Sequence, residues 1–210
     1  MSIINGATLA ALVAECTVSQ MRYDMVENSD ATGHAAARLF GPPRWKLALR
    51  SKDAFTLAQA GAYEAVLLQL RGGVNHLSMY DPVRTAPAGT LRGTLTLNGA
   101  HSAGAVTLSI TCGLGQAGYT LKAGDWLQIG SGLGTSQLVK VMADATANGS
   151  GIIAPTVEPP LRTAFSTGAA VTWDKPIAYY RQISSPQWTY RPGMRMKQGG
   201  FALDLLESWT

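Results

Sequence analysis

The sequence is short of charged residues, of cysteine and of long apolar runs, and each shortage excludes a class of protein. Charged residues form 14% of the chain, against about 25% in a typical soluble domain. The two cysteines, Cys16 and Cys112, have no Cys or His partner at metal-ligand spacing, so we expect buried or half-buried thiols and no zinc site. No segment approaches about 18 uninterrupted apolar residues, so we expect no membrane span.

Positive charge is scattered along the chain. The net charge is +4, and the densest basic cluster, residues 191–197, is short and turn-like. A nucleic-acid-binding protein usually collects its Lys and Arg on one element. We therefore expect no specific nucleic-acid partner.

The beginning of the sequence lacks the signature of a signal peptide. "MSIINGATLAALVAECTVSQMRYD" has no positive charge before Arg22, and Asn5, Thr8 and Glu15 interrupt its apolar stretch. A signal peptide has a basic start followed by an apolar region. We therefore expect the protein to be made and folded in a cytoplasm.

Apolar residues and turn residues are abundant. Apolar residues form 46% of the 210 residues, enough for a sizeable core, and 23 glycines and 10 prolines indicate many turns. This combination predicts a mainly β protein.

The two ends of the chain carry longer elements, which we group into one β domain of residues 1–90 together with 176–210. Residues 14–25 alternate in the manner of a strand. The motif Gly41-Pro42-Pro43 predicts a break, after which Trp45, Leu47 and Leu49 form the apolar face of a second strand.

One helix is predicted, at about residues 56–71. Thr56 and Gln59 fit a capping box, and apolar residues recur at helical spacing from Ala60 to Leu70. Gly72 or Gly73 provides the C-terminal stop. We expect this helix to pack one face against a sheet and to turn a polar face to water.

Residues 91–175 have a different sequence pattern, in which short strand-like segments are separated by glycine turns. Val106 to Cys112 is the clearest half-buried strand, because apolar and polar residues alternate along it. Strands at intervals of roughly 8 to 12 residues are typical of a small antiparallel sandwich or barrel. We therefore predict a small antiparallel β domain inserted into the first one.

A glycine triplet follows that strand with the spacing of a dinucleotide-binding loop. Gly113, Gly115 and Gly118 match G-x-G-x-x-G, but such a loop must lead into a helix whose N-terminus holds the pyrophosphate. The residues after Gly118 do not favour a helix, and residues 137–139 supply no acidic partner. We interpret the glycines as turn residues of a hairpin that joins the strand ending at Cys112 to the one around Trp126.

Other motifs predict no cofactor, metal or catalytic site. "GSGLGTSQ" at residues 130–137 lacks the Gly-Lys-Ser/Thr ending of a phosphate-binding loop and predicts a hairpin loop. The loop around Asp144 is too poor in oxygen ligands for calcium. The three histidines stand apart in sequence, so only folding could pair one with a nucleophile such as Cys16 or Ser78; they are His34, His76 and His101.

Three tryptophans offer an alternative to a purely structural function. Trp126, Trp173 and Trp188 could stack on sugar rings, because aromatic faces cover the apolar faces of sugars. Each lies within a strand-like stretch, so packing in a β core or subunit contact is the competing interpretation. The corresponding function is a carbohydrate-binding adhesin that recognises a host-surface glycan.

Several stretches together resemble tail-tip structural proteins of long-tailed bacteriophages, of the distal tail protein type. The stretches are "ATGHAAARLFGPPRWKLALRS", the helical segment with "PAGTLRG" after it, and "FALDLLESW" near residue 205. The inserted segment, with "LKAGDWLQIG" and "QLVKVMADATANGSG", is similar to small β domains carried by such tail hubs. The resemblance implies a tail-hub β barrel or sandwich with one packed helix.

The same resemblance implies a function in assembly, with no catalytic residues. It implies a homo-oligomeric ring, most often of six copies, at the end of the tail tube, in the virion and assembled in the host cytoplasm. Expected partners are the tail tube protein and the tail-tip hub and tape-measure proteins. A head-tail connector and a tail-tip cell-wall hydrolase are the alternatives; the hydrolase would need a catalytic site that the sequence does not reveal.

We expect bulky or cationic residues near the ends of the hub elements to make the ring or tube contacts. The residues are Trp45, Tyr63 and the loop from Arg191 to Lys197. In a ring each subunit contacts two neighbours through different surfaces.

Overall fold

The computed structural model describes residues 1–28, 34–52, 54–191 and 197–210. The fold is mainly β with one main helix, as the composition predicts. The described part of the chain contains no helix with the length and apolar character needed to cross a membrane.

In chain order the elements are β1 Ile3–Asn5, α1 Ala7–Leu12, β2 Val13–Asn28, β3 Ala35–Ser51, β4 Ala54–Phe55, α2 Leu57–Gln69, β5 His76–Tyr80, β6 Leu95–Leu97, β7 Ile110–Thr111, β8 Thr120–Leu121, β9 Trp126–Ile129, β10 Gln137–Val141, β11 Ala145–Thr146, β12 Ile152–Ile153, β13 Val157–Glu158, β14 Ala170–Thr172, β15 Ile177–Gln182, β16 Gln187–Arg191 and β17 Lys197–Glu207.

The first sheet combines strands from the two ends of the chain. Its order is β1-β5-β15-β17-β3-β2, and β16 and β4 also pair with β17. β1 and β5 are parallel, whereas the other pairs are antiparallel. Along β3 the side chains of Trp45, Leu47 and Leu49 are buried, so the predicted alternation of this strand is confirmed.

The second sheet is built from residues 95–172 and is antiparallel throughout. Its order is β12-β7-β6-β14-β9-β10-β13, and β8 pairs with β11 as a separate ribbon. Among the described residues, these strands pair only with one another. That pairing supports the predicted insertion of residues 91–175, although the domain division itself stays a prediction. Neither sheet closes into a barrel over the described residues, so open sheets replace the barrel that was one form of the expected fold.

The helix α2 begins as the sequence predicts. The Thr56 hydroxyl accepts a hydrogen bond from the backbone N–H of Gln59 at 3.2 Å, and the Gln59 side chain accepts one from the backbone N–H of Thr56 at 3.0 Å. This capping box satisfies two donors that the helix leaves free at its start. After the helix, Gly72 has a φ of 64°, the left-handed conformation predicted for the stop.

Two of the predicted strand boundaries are wrong. The chain does not break at Gly41-Pro42-Pro43, because β3 runs through this motif from Ala35 to Ser51. The predicted strand over residues 106–112 is reduced to β7, although the side chains of Leu108, Ile110 and Cys112 are buried in alternation as expected.

Two apolar clusters form the interior. The first lies between the inner face of the first sheet and the helices, and it includes Tyr63 and Leu67 of α2. The second fills the space under the second sheet, around Leu127 and Ile129. Trp126 and Leu138 of the second sheet pack in the first cluster, so the two sheets share a junction.

Candidate functional site

The hairpin formed by β2 and β3 extends past the body of the first sheet. β3 pairs with β17 only from Lys46 to Arg50, whereas its pairing with β2 continues to Ala35. Residues 23–28 and 35–41 therefore pair only with each other among the described residues. We call these two segments the arm; residues 29–33 between them lie outside the described chain.

The arm exposes large apolar side chains. Phe40 is 69% exposed and Leu39 is 60% exposed, and three further side chains of the arm are also exposed. Because successive residues of a strand point to opposite faces, these side chains lie on both faces of the hairpin. The exposed side chains amount to roughly 500 Å² over the two faces together, about the size of the largest apolar patch on a typical monomer, which is often functional. They are Tyr23, Met25, Val26, Leu39 and Phe40.

Irregular pairing shapes the base and the middle of the arm. Tyr23 pairs with Gly41 and Asp24 pairs with Leu39, so Phe40 lies between these pairs without a partner on β2. A bulge of this kind bends a strand and redirects the side chain of the extra residue. At the base, Arg22 forms an ion pair with Glu158 of β13 at 3.2 Å, which ties the arm to the second sheet.

A second exposed apolar surface lies on α2. The helix buries Ala60, Tyr63 and Leu67 and turns its opposite face outward. On that face Leu57 is 71% exposed and Leu68 is 63% exposed, with small residues between them. The predicted polar face is therefore wrong in part, because the exposed side is mostly apolar. We call this surface the helix face; it consists of Leu57, Ala58, Gly61, Ala62, Ala65 and Leu68.

Two of the predicted contact residues are buried. Trp45 is 6% exposed, and Tyr63 is fully buried with its ring centroid 4.7 Å from that of Phe201. Neither side chain can reach a neighbouring subunit, because each is enclosed by its own core. Their assignment to ring contacts is wrong. The loop from Arg191 to Lys197 falls largely on residues 192–196, which lie outside the described residues.

The three tryptophans considered for sugar stacking have different surroundings. Trp126 is buried in the first core cluster. Trp173 is half-buried and donates to the carbonyl of Gly93 at 2.7 Å, with the Arg92 guanidinium 5.0 Å from its ring. Trp188 is partly exposed on β16 of the first sheet. A stacking surface that uses Trp126 is excluded by its burial.

The glycine triplet belongs to a turn, but not to the predicted hairpin. Gly113 has a φ of 84° and Gly118 a φ of 79°, both in the left-handed region that favours glycine. Residues Leu114–Gln116 between them form a single 3-10 turn. β7 pairs with β6 and β12, and the next strand, β8, pairs with β11, so the triplet does not join β7 to β9. The loop at 130–137 does connect the antiparallel strands β9 and β10, as predicted.

One histidine lies beside a hydroxyl group. Nε2 of the buried His76 is 3.3 Å from Oγ of Ser208 and 3.1 Å from Nε of Arg181. The carbonyl oxygen of Thr210 lies 3.1 Å from the same nitrogen, whereas Nδ1 has no partner among the described atoms. Burial and the nearby Arg181 lower the pKa of His76. Nε2 therefore has three polar neighbours, and the Ser208 hydroxyl also donates to the carbonyl of Thr210 at 3.2 Å.

The other candidate groups are separate from this histidine. His34 is exposed, and His101 accepts at Nε2 from the backbone N–H of Ser109 at 2.9 Å. The Ser78 hydroxyl donates to the carbonyl of Ile4, and burial raises the pKa of Cys16 to about 11. The described chain contains no group of three His, Cys, Asp or Glu side chains that could hold a metal ion.

A charged and aromatic cluster that the sequence did not predict lies at the junction of the two sheets. Arg44 and Arg162 both lie over the Trp209 ring, with their guanidinium carbons 4.6 and 4.1 Å from its centroid. Glu207 is 2% exposed and accepts from the backbone N–H of Trp45 at 3.0 Å. Burial raises the pKa of Glu207. These residues are far apart in sequence, so no local pattern signals them.

No model of a known protein family matches the chain, and no curated protein matches its sequence.

Proposed function

We propose that the protein is a structural subunit of a phage virion that forms a ring at the distal end of the tail tube. The proposal joins the resemblance of the sequence to distal tail proteins with the exposed apolar surfaces of the fold. The ring connects the tube to tail-tip or baseplate proteins, and the subunit has no catalytic role. Its partners are further copies of itself, the tail tube protein, and the hub and tape-measure proteins of the tip.

The arm is the observation that supports this proposal most. Five large apolar side chains are exposed on two narrow strands, and Phe40 is the most exposed of them. An apolar patch of about this size is often a contact surface for another protein. A projecting hairpin with apolar side chains on both faces is suited to insertion between other protein surfaces, as happens in an assembly.

Two separate apolar surfaces on one chain favour a head-to-tail arrangement. A contact between different surfaces on two copies leaves one unused surface at each end, so the contact repeats until the ring closes. The arm and the helix face are two such surfaces. A six-membered ring is the symmetry that the resemblance implies.

The proposal is tested by the mass of the purified protein in solution and by its location in particles. Light scattering over a range of concentrations is expected to reveal a closed oligomer, and a label on the protein is expected at the tail tip by electron microscopy. A Leu114→Asp variant is the control, because Leu114 is 75% exposed but lies in neither surface. A protein that stays monomeric at high concentration and is absent from tail tips would contradict the proposal.

A further inference from the structure

We infer that the protein binds a small organic oxyanion, a carboxylate or phosphate group on an apolar body, in a cavity beside the junction of the two sheets. The cavity has a volume of about 440 Å³. Cavities that hold small ligands are typically about 300–1,000 Å³ and often lie where two structural units meet. This inference does not depend on the proposed ring.

Two segments of the chain form the wall of the cavity. Residues 83–88 belong to the segment that leaves the first sheet after β5, and residues 123–126 form the turn that leads into β9 of the second sheet. Trp126, which packs at the junction, contributes to the wall. Small apolar residues form much of the rest; they are Val83, Ala86, Ala88 and Ala123. A mostly apolar wall with a few polar groups is typical of a site for a small organic molecule.

Two cations supply the polar part of the site. Arg84 lines the cavity, and Lys140 lies beside it, with its Nζ 4.6 Å from the centroid of the Trp126 ring. One nitrogen of the Arg84 guanidinium donates to the carbonyl of Gly124 at 3.1 Å, which leaves further N–H donors on the same group. Among the described residues, neither cation forms an ion pair. An oxyanion would accept strong, charge-assisted hydrogen bonds from them.

The half-buried Lys140 has an unfavourable environment for its charge. Burial lowers the pKa of Lys140, the nearby Arg84 lowers it further, and Asp81 raises it. A buried charge is costly unless an opposite charge and hydrogen bonds compensate for it. A bound oxyanion would provide that compensation.

The two carboxylates near the cavity are already engaged by neutral donors. The Asp125 carboxylate accepts hydrogen bonds from three backbone N–H groups. Asp81 accepts one from a backbone N–H and one from the indole of Trp126. Their oxygens are therefore occupied, whereas the two cations keep free donors.

The Arg92–Trp173 pair shows the contrasting, structural case. The Arg92 guanidinium also lies over an indole, 5.0 Å from its centroid. Its nitrogens, however, donate to three backbone carbonyls of residues 87–91. A cation over a tryptophan is thus not by itself a binding site, and Arg84 and Lys140 differ by their position at a cavity.

Three probes of similar size test the inference. Benzoate and phenyl phosphate carry an oxyanion on an aromatic ring, and benzamide carries an uncharged amide on the same ring. We expect benzoate or phenyl phosphate to bind at least about tenfold more tightly than benzamide in isothermal titration calorimetry. The tighter of the two identifies the oxyanion. Shifts of the backbone amide signals of residues 83–88 and 123–126 in NMR spectra are expected to locate the site.

Charge-removing variants test the two cations. Arg84→Gln and Lys140→Gln are each expected to weaken binding of the preferred probe at least about fivefold. Arg50→Gln is the matched control, because it removes the same charge from a side chain that is 72% exposed on the first sheet. Arg84 is also exposed, so Arg84→Gln is the decisive variant if Lys140→Gln does not fold. Circular dichroism checks the fold of each variant.

The outcomes separate this inference from the proposed function. Equal binding of benzamide and the two anions, or unaltered binding by Arg84→Gln, would overturn the oxyanion site. Amide shifts confined to other parts of the chain would also overturn it. A protein that binds the probe as described but stays monomeric would contradict the ring and leave the site intact.

Discussion

The indole rings of Trp45 and Trp126 meet edge to face, with centroids 4.7 Å apart and planes at 82°. Trp45, on the first sheet, donates its indole N–H to the carbonyl of Leu138 on the second sheet at 2.9 Å. Trp126, on the second sheet, donates to the carboxylate of Asp81, just after β5, at 3.1 Å. Each ring therefore bonds across the junction, and the pair fixes how the two sheets meet.

Trp45→Phe removes one of these two crossing bonds while it keeps an aromatic ring in the core. The carbonyl of Leu138 then loses a buried donor, and leaving such a group unsatisfied costs about 1–3 kcal/mol. We expect the free energy of unfolding in urea to fall by that amount. Trp188→Phe is the control, since the partly exposed Trp188 lies away from the junction. Equal stability of the two variants would show that the crossing bond contributes nothing measurable.

Trp209 is expected to hold the second sheet against the first through its two arginine neighbours. Each cation above an aromatic ring contributes about 0.5–2 kcal/mol. Trp209→Leu keeps apolar bulk but removes both interactions, so we expect faster amide hydrogen exchange in β10, which lies across the junction. Trp173→Leu removes the single Arg92 contact and is expected to leave exchange in β10 unchanged. Unaltered exchange in Trp209→Leu would contradict a clamping function.

The contribution of Glu207 to folding stability is expected to depend on pH. Burial raises the pKa of the Glu207 carboxyl group in the folded protein. In the unfolded chain this carboxyl group has the ordinary glutamate pKa of about 4.3, so it ionises at a lower pH there than in the folded protein. The group therefore favours folding at low pH, and that contribution is lost as the pH rises through the raised pKa. Glu207→Gln stays neutral and keeps an acceptor for the backbone N–H of Trp45.

The stability of Glu207→Gln relative to the unmodified protein is therefore expected to increase from pH 4 to pH 7. Urea unfolding measured at several pH values checks this. Glu15→Gln is the control, because Glu15 is exposed on β2. A difference between Glu207→Gln and the unmodified protein that is constant over this pH range would contradict the assignment.

Residues close together in sequence were enough to predict the helix and the hairpin at 130–137. The burial of side chains that were expected on the surface depends instead on packing between distant parts of the chain. The capping box of Thr56 and Gln59 depends on residues three apart, so the sequence contains all of it. Trp45 and Tyr63 look like surface anchors in sequence, but partners more than 80 positions away enclose them. No local pattern reports such partners.

The Gly41-Pro42-Pro43 motif shows why a turn signal can fail inside a strand. Met21 pairs with Arg44 and Tyr23 with Gly41, so the two prolines face the single residue Arg22 in a bulge. On the side of β3 that faces away from β2, the residues before Lys46 have no partner strand among the described residues. A proline lacks only a backbone N–H, and at an unpaired edge or bulge that loss costs little.

The interpretation of Gly113, Gly115 and Gly118 as part of a turn can be tested by comparing the stabilities of two alanine variants. Gly113 has φ 84° and ψ 155°, a conformation used almost only by glycine, so Gly113→Ala is expected to cost about 1–3 kcal/mol. At Gly115 an added Cβ meets no atom within 4 Å, so Gly115→Ala is expected to change stability by less than about 1 kcal/mol. Urea unfolding of the two variants tests the turn, and an equal loss of stability at both positions would contradict it.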